Sequence, residues 1–433
     1  MARKVFISFL GTTNYGECDY HRNGISYGKS RFAQVVTLNY LMQQEQWSSH
    51  DIAYILMTGD SELKNWQDFY YKDRETQQPL YGLETCLSQM ELPFCIHPVK
   101  NLPEGNSEDE IWQIFQQVFN ECIQEGDELY FDITHGYRYL PTLIIVLGNY
   151  AKFLRNVTVK SITYGNWEIS QQGKKPGLLI DLLPLSTLQD WTFASGQYLR
   201  SGDATQLEQV GLNNTIRPLM KKAKGTDPNV TNLYKYVKLL SQFSEEMRTC
   251  RGIDIAKAKT IKPLNEISAS VDSSIIPPLE PVLQKMQQSI ANFSNEENVI
   301  NGIHAATWCY NHALYQQAAT ILEESIVSIV CIDNGIDWHN EEQRKIINAA
   351  FFTQTNPDKE LNPEFNDKTE LIQSIKAGKT FLNLYPIYNT LSELRNDINH
   401  SGIRNNYMSP TSLITKLGTC ITNAQKLYSP NAD

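Results

Sequence analysis

The sequence has no CxxC pair. Its eight cysteines, at positions 18, 86, 95, 122, 250, 309, 331 and 420, are scattered, and several lie in apolar runs such as VFNECI and IVSIVCI. That spacing argues against a structural zinc site and against a disulfide framework. Reduced, buried thiols of a cytoplasmic protein are expected instead. No run of about 18 apolar residues occurs, which excludes a helix that spans a membrane. The first residues, MARKVFISFLGTTNYGE, hold too short an apolar run for a signal peptide and read as a first strand. A GxGxxG fingerprint is missing, which counts against an ordinary dinucleotide cofactor. Basic charge is in short supply too: 38 Lys and Arg stand against 48 Asp and Glu, a net charge of −10. A protein that coats nucleic acid would be basic, whereas an enzyme that handles RNA in a local cleft needs positive charge only there. Internal repeats and low-complexity tracts are absent as well.

The 433 residues, 41% hydrophobic and 20% charged, suffice for two to three ordinary domains at roughly 100–200 residues each. The first 185 residues alternate short apolar runs with amphipathic stretches. Strands are expected at 5–10, 51–59, 93–99, 128–134, 158–165 and 178–185, and helices at 32–44, 83–90, 108–124 and 140–154. The 108–124 stretch repeats apolar residues at Ile111, Ile114, Phe115, Val118, Phe119 and Cys122, a 3.6-residue period. Strand and helix in alternation imply a mostly parallel sheet covered on both faces. Beyond about residue 186 helices dominate, at 203–223, 231–249, 279–292, 298–333, 367–382 and 384–400. The polar, Asn- and Pro-rich segment 334–366 reads as a loop or insertion. The expected fold class is thus α/β followed by all-α, with domains at 1–185 and 186–433.

In open parallel sheets ligands bind beyond the carboxyl ends of the strands. Three segments fall at such ends: Gly11, Thr12, Thr13, Asn14 and Tyr15 after the first strand, Thr58, Gly59 and Asp60 after the second, and residues 132–138 after the fourth. The last holds Asp132, Thr134, His135, Gly136 and Arg138 and is expected to open a helix. A helix N-terminus suits phosphate, Gly136 permits close backbone approach, Thr134 offers a hydroxyl and Arg138 a charge. Each segment alone is an ordinary strand-end turn, and Asp132 or Thr134 alone an ordinary cap. All three at one sheet edge point to a ligand site.

LGTTNY, TGD and above all DITHGYR resemble the CARF domain of CRISPR-associated CARF–HEPN ribonucleases. The resemblance implies a Rossmann-like sensor that binds a cyclic oligoadenylate through Asp132, Thr134, His135, Gly136, Arg138 and the 11–15 loop. That messenger would be an allosteric activator, with no cofactor and no metal required.

Near the other end, LSELRNDINHSGI (391–403) holds Arg395, Asn396 and His400. Asn396 and His400 are four apart and share a helix face, and Ser401-Gly402 looks like a helix stop. RNA can be cut without metal when its 2′-OH attacks the adjacent phosphorus, given a base, an acid and positive charge on the phosphorane. Histidine, with an ordinary pKa of about 6.5, serves as either acid or base near neutrality. Arginine presents planar donors to phosphate oxygens. Asn396 would orient the imidazole or hold the phosphate. The segment is similar to the HEPN ribonuclease motif R-x(4–6)-H, and WCYNHALYQQAATILEES (308–325) resembles that family's long HEPN helix. One His per chain falls short of an acid and a base, so a two-fold dimer is expected to share the cleft, as the resemblance also implies. The expected function is a messenger-activated endoribonuclease acting on single-stranded RNA. The alternatives are a catalytically silent nucleotide-responsive regulator and a sensor that cleaves the ring itself. Lys221, Lys222 and Lys224, with Lys257, Lys259 and Lys262, would guide RNA or simply form solvated helix faces.

Overall fold

The computed structural model describes residues 2–68, 80–170, 175–271 and 277–428. The chain divides into two compact units, Met1–Ser186 and Thr187–Asp433.

In the first unit, strands β1 (Lys4–Leu10), β2 (Cys18–Arg22), β3 (Ile25–Ser30), β4 (Ile52–Thr58), β5 (Cys95–Leu102), β6 (Glu128–Asp132), β7 (Thr158–Asn166) and β8 (Gly177–Asp181) form one sheet. Their order is β3-β2-β8-β7-β6-β1-β4-β5. β1 is central and parallel to both β4 and β6. Its side chains alternate between two apolar layers. Val5, Ile7 and Phe9 pack with the Glu108–Cys122 and Leu140–Arg155 helices, and Phe6 and Leu10 with the Ala33–Gln44 side. Burial on both faces is why β1 reads as a continuous apolar run. The chain turns to one side of β1 for β4 and β5, then to the other for β6 and β7. The switch point therefore lies between β1 and β6, where a doubly wound sheet opens a crevice at its carboxyl edge.

The sheet departs from the expected one in two places. β2 and β3 form an antiparallel hairpin that the strand pattern did not include. Its turn is Asn23-Gly24, both left-handed at φ 53 and 78, as a two-residue hairpin turn requires. The 178–185 strand stops at Asp181, and the Leu183–Ser201 helix begins at once. Asp181 Oδ1 accepts the Leu183 N–H at 2.9 Å, and Pro184 suits a first helical turn.

The second unit is helical, with no strand among its described residues. Its core contains Trp191, Tyr198, Tyr236, Phe243, Trp308, Phe351 and Phe381. The expected 298–333 helix is two, Asn301–Asn311 and Tyr315–Asp333, broken where Ala313 turns left-handed at φ 60. Segment 334–366 is no plain loop. It holds the Glu341–Thr355 helix, started by the Asn340 side chain accepting from Gln343 N and by two acids in the first turn. The expected 203–223 helix is Thr205–Val210 and Arg217–Lys222 joined by a wider π turn. The last long helix runs Lys379–Asn399 straight through Pro386. Leu382, four residues earlier, stands on the exposed face, so water can reach the carbonyl that the proline leaves unpaired.

Candidate functional site

The loops after β1 and β6 meet at the switch point. Their backbones touch at Gly11 and Gly136: a Cβ on Gly11 would lie 2.9 Å from Gly136 N and 2.5 Å from the Tyr15 hydroxyl. Asn65, almost fully buried, clamps the first loop, donating to Gly11 O at 2.8 Å and Thr13 O at 2.9 Å. Thr58 joins the same region. With Gly136, Tyr137, Phe9 and Leu10 it lines a small apolar cavity under the loops.

The β6 loop is held by a latch of buried polar groups. Asp132 Oδ1 accepts from Thr134 N at 3.0 Å and from the Thr134 hydroxyl at 2.5 Å, and Asp132 Oδ2 accepts from Ser8 Oγ at 3.3 Å. Thr134 Oγ1 in turn accepts the Gly165 N–H of β7 at 2.8 Å. Every polar atom of Asp132 and of the Thr134 side chain is thus committed inside the protein. His135 packs on Tyr15, ring centroids 3.8 Å apart, and its Nε2 accepts from Ala33 N at 3.2 Å. Gly136 takes φ 110, a region closed to ordinary side chains. The loop itself is not helical, and the helix begins where the 140–154 reading put it. The helix starts at Leu140, because Gly136 breaks the helical path and Leu140 N pairs with Tyr137 O. The main-chain N–H groups of His135, Gly136, Tyr137, Arg138 and Tyr139 donate to nothing among the described residues. A run of unpaired amides makes an anion-binding concavity. Arg138 is exposed beside it without an ion-pair partner among those residues. Tyr137 hydrogen-bonds Glu104.

Other sequence-derived candidates are placed less directly. Thr12 is half-buried, and Thr13 and Asn14 are exposed. Thr58 forms a reciprocal cap with Ser61, and Asp60 pairs with Lys64 at 3.3 Å on the surface. Three contributors were not anticipated: Asn65, Gly165, and the start of the Ala33–Gln44 helix that receives His135.

Burial pushes the His135 pKa down to about 3. Because Nε2 accepts, the neutral ring carries its proton on Nδ1. A depressed base supports the fold above its ordinary value of about 6.5, and that support is lost as pH falls towards 3. Asp132, pushed up to about 6 by burial against the Thr134 and Ser8 bonds, acts oppositely: its contribution declines as pH rises to that value. Imidazole nitrogen NMR is expected to show the Nδ1–H tautomer of His135 at pH 7 and no titration between pH 8 and 5. A midpoint near 6.5 would contradict the tie to Ala33.

Residues 5–168 match the family model described as CRISPR system endoribonuclease Csx1, CARF domain. The first unit is therefore a CARF domain, of the kind named in that CRISPR family model. It is 23% identical over 312 residues to the CRISPR-associated protein MJ1674 of Methanocaldococcus jannaschii. That alignment covers 70% of this chain and 42% of the relative, so the match spans less than half of the relative's length. The crevice at the switch point is the carboxyl edge of the CARF sheet.

In the helical unit that follows the CARF domain, Arg395, Asn396 and His400 occupy the end of the Lys379–Asn399 helix. Arg395 Nη1 donates to Glu323 Oε2 at 3.0 Å, with Glu324 Oε1 at 4.0 Å. Glu323 is buried, and burial holds its carboxyl above the usual range despite the guanidinium. Asn396 and His400 are exposed. No hydrogen bond joins the Arg395, Asn396 and His400 side chains among the described residues. The helix stops as Ser401-Gly402 suggested: both are left-handed, at φ 55 and 67, and Gly402 N returns to Asp397 O at 2.9 Å. Glu323 was missed as the partner of Arg395. Its signal was a carboxylate at a core position of AATILEESIVSIV, in phase with Ala319, Ile326 and Val330. No cluster of three metal-ligating side chains occurs among the described residues, and no described helix is long and apolar enough to cross a membrane.

Proposed function

We propose that this chain is an endoribonuclease of CRISPR antiviral defence, activated by a cyclic oligoadenylate in its CARF crevice and cutting single-stranded RNA in a C-terminal HEPN domain. The observation that carries the reading is the Arg395–His400 pair at one helix end in an all-helical unit that follows a CARF domain. His400, exposed at the helix end, is free to exchange a proton with the 2′-OH or the leaving oxygen. Arg395, steered by Glu323, is the charge for the phosphorane, and Asn396 holds phosphate or imidazole. The five unpaired amides and Arg138 suit the phosphates of the ring.

A single chain offers one such His, and a two-fold dimer supplies the second. An apolar strip on the CARF domain fits that need. Val146, Tyr150, Phe153 and Leu154 are exposed on one stripe of their helix, and Trp112 is exposed on the neighbouring helix. The rings of Phe115 and Phe119 join Tyr150 to that second helix. Contiguous apolar surface of this kind marks an interface.

The test is cleavage of a fluorogenic RNA with a panel of cyclic oligoadenylates, each with and without EDTA. One ring is expected to switch cleavage on, and EDTA to leave it on. Silence with every ring would leave a nucleotide-responsive regulator, and loss with EDTA would remove the metal-independent chemistry.

A further inference from the structure

The helix that carries Arg395 and His400 also carries Asp397, which the proposed chemistry does not use. Asp397 is 3% exposed, and its Oδ2 accepts from Met408 N at 3.0 Å. Its Oδ1 is buried and has no hydrogen-bond partner among the described residues. A buried acceptor without a donor is costly, and native structures keep few of them. Asp397 lines a groove of about 540 Å³ between its own helix, the 401–408 turn and the start of the Pro410–Tyr428 helix. Ser401 and Gly402, the two residues after His400, form one wall, and Tyr407 and Met408 stand on the turn that forms another. Tyr407 is 66% exposed.

We propose that this groove binds a guanine base of single-stranded RNA, read by the Asp397 carboxylate. The assignment rests on the ribonuclease reading of the same helix end. A carboxylate only accepts hydrogen bonds. Of the four RNA bases, guanine alone presents two neighbouring donors, N1–H and the N2 amino group, on its Watson–Crick edge. One donor meets the free Oδ1, and the other meets the second lone pair of Oδ2. Unstacked bases of single-stranded RNA are commonly held against aromatic rings and read on this edge, and Tyr407 offers the ring. Because Oδ1 is closed off from solvent, the 401–408 turn has to give way for the base edge to meet it. The neighbouring phosphodiester then lies at the helix end that carries His400.

Binding is measured on the full-length His400→Ala protein, which holds RNA without cutting it. The ligands are short fluorescent RNAs that differ at one position: guanine, inosine, adenine or uracil. Guanine is expected to bind about tenfold tighter than inosine, which lacks only the N2 amino group. This comparison needs no change at Asp397. Adding Asp397→Asn keeps an acceptor for Met408 N but turns the other atom into a donor, so the preference for guanine should vanish. GMP should compete only weakly, since the rest of the strand contributes phosphate contacts. Full competition by GMP would make this a mononucleotide site and overturn the RNA assignment. Equal binding of all four RNAs would overturn the proposal, and so would a Tyr407→Ala variant that changes oligomeric state while leaving selectivity intact. Guanine-blind binding together with brisk cleavage by the wild-type protein would sink the pocket and spare the nuclease. Guanine-selective binding without any cleavage would do the reverse.

Discussion

His400→Ala is expected to lower activated RNA cleavage by at least about a hundredfold, the usual contribution of a positioned acid or base. The imidazole is exposed at a helix end, so its loss removes little packing and the melting temperature should move by no more than a degree or two. The deficit should fall on kcat, with KM close to that of the wild-type protein, because proton transfer occurs only in the transition state. Arg395 needs a different substitution. Its guanidinium is the partner of buried Glu323, and because Arg395 itself is 35% exposed, deleting it costs less than the roughly 3–5 kcal/mol of a fully buried pair. Glu323 is already held above the usual carboxylate range by burial, so protonation would absorb part of that cost. The cleaner variant is Arg395→Lys. It keeps the charge near Glu323 but gives up the planar fork that can span two phosphate oxygens. A loss of about tenfold or more in kcat/KM with a normal melting curve is expected. Wild-type rates in both variants would remove this helix end from the active site.

The second large effect belongs to the CARF crevice. Gly136→Val should reduce cyclic oligoadenylate affinity by about a hundredfold or more. Gly136 sits at φ 110, and a Cβ there would lie 2.5 Å from Leu140 Cδ1 and 3.3 Å from Phe9 Cβ. The loop would have to leave its left-handed path at Gly136, and the run of five unpaired amides would be rearranged. Such a variant strains the fold as well, so Arg138→Glu is its companion. Arg138 is exposed, and its replacement sets a negative charge beside the same amides without touching the core. Gly252→Ala, in the helical unit, is the control, since a Cβ at Gly252 meets nothing within 4 Å. Calorimetry should show both site variants weakened and the control unchanged. Unchanged affinity in folded Gly136→Val and Arg138→Glu would move the ligand elsewhere.

Much of the CARF domain was readable because its signals are periodic and local. β1 alternates its residues between two buried layers, and the Glu108–Cys122 helix repeats its apolar residues every turn. The three candidate loops could be placed at one sheet edge for the same reason, since the carboxyl ends of parallel strands share an edge. What escaped was carried by turns and by distance. Asn23-Gly24 is a strong hairpin signal, but the polar residues around it hid two short strands. Ala313 breaks a helix with no glycine or proline to announce it. The break expected between 382 and 384 falls at Gly378 instead, and the long helix runs on through Pro386, which faces outward. The partnership of Asn65 with the 11–13 loop spans more than fifty residues, and that of Glu323 with Arg395 spans 72. Pairings of that kind follow from the packed fold, and periodicity along the chain does not encode them. The Asp132–Thr134 latch lay between these extremes: its residues stood out at once, but as ligand groups, whereas their polar atoms are taken up by one another and by Gly165.

That latch bears on how the crevice would behave under mutational scanning. Its conspicuous side chains are the framework, and the groups proposed to meet a ligand are, beside Arg138, main-chain amides. Amides belong to the chain path and survive any side-chain replacement that keeps that path. An alanine scan across 132–139 would therefore register scaffold damage at Asp132 and Thr134 and, Arg138 apart, miss the recognition itself. Replacing single peptide units by esters, which removes one N–H at a time, would expose the contacts that a side-chain scan passes over.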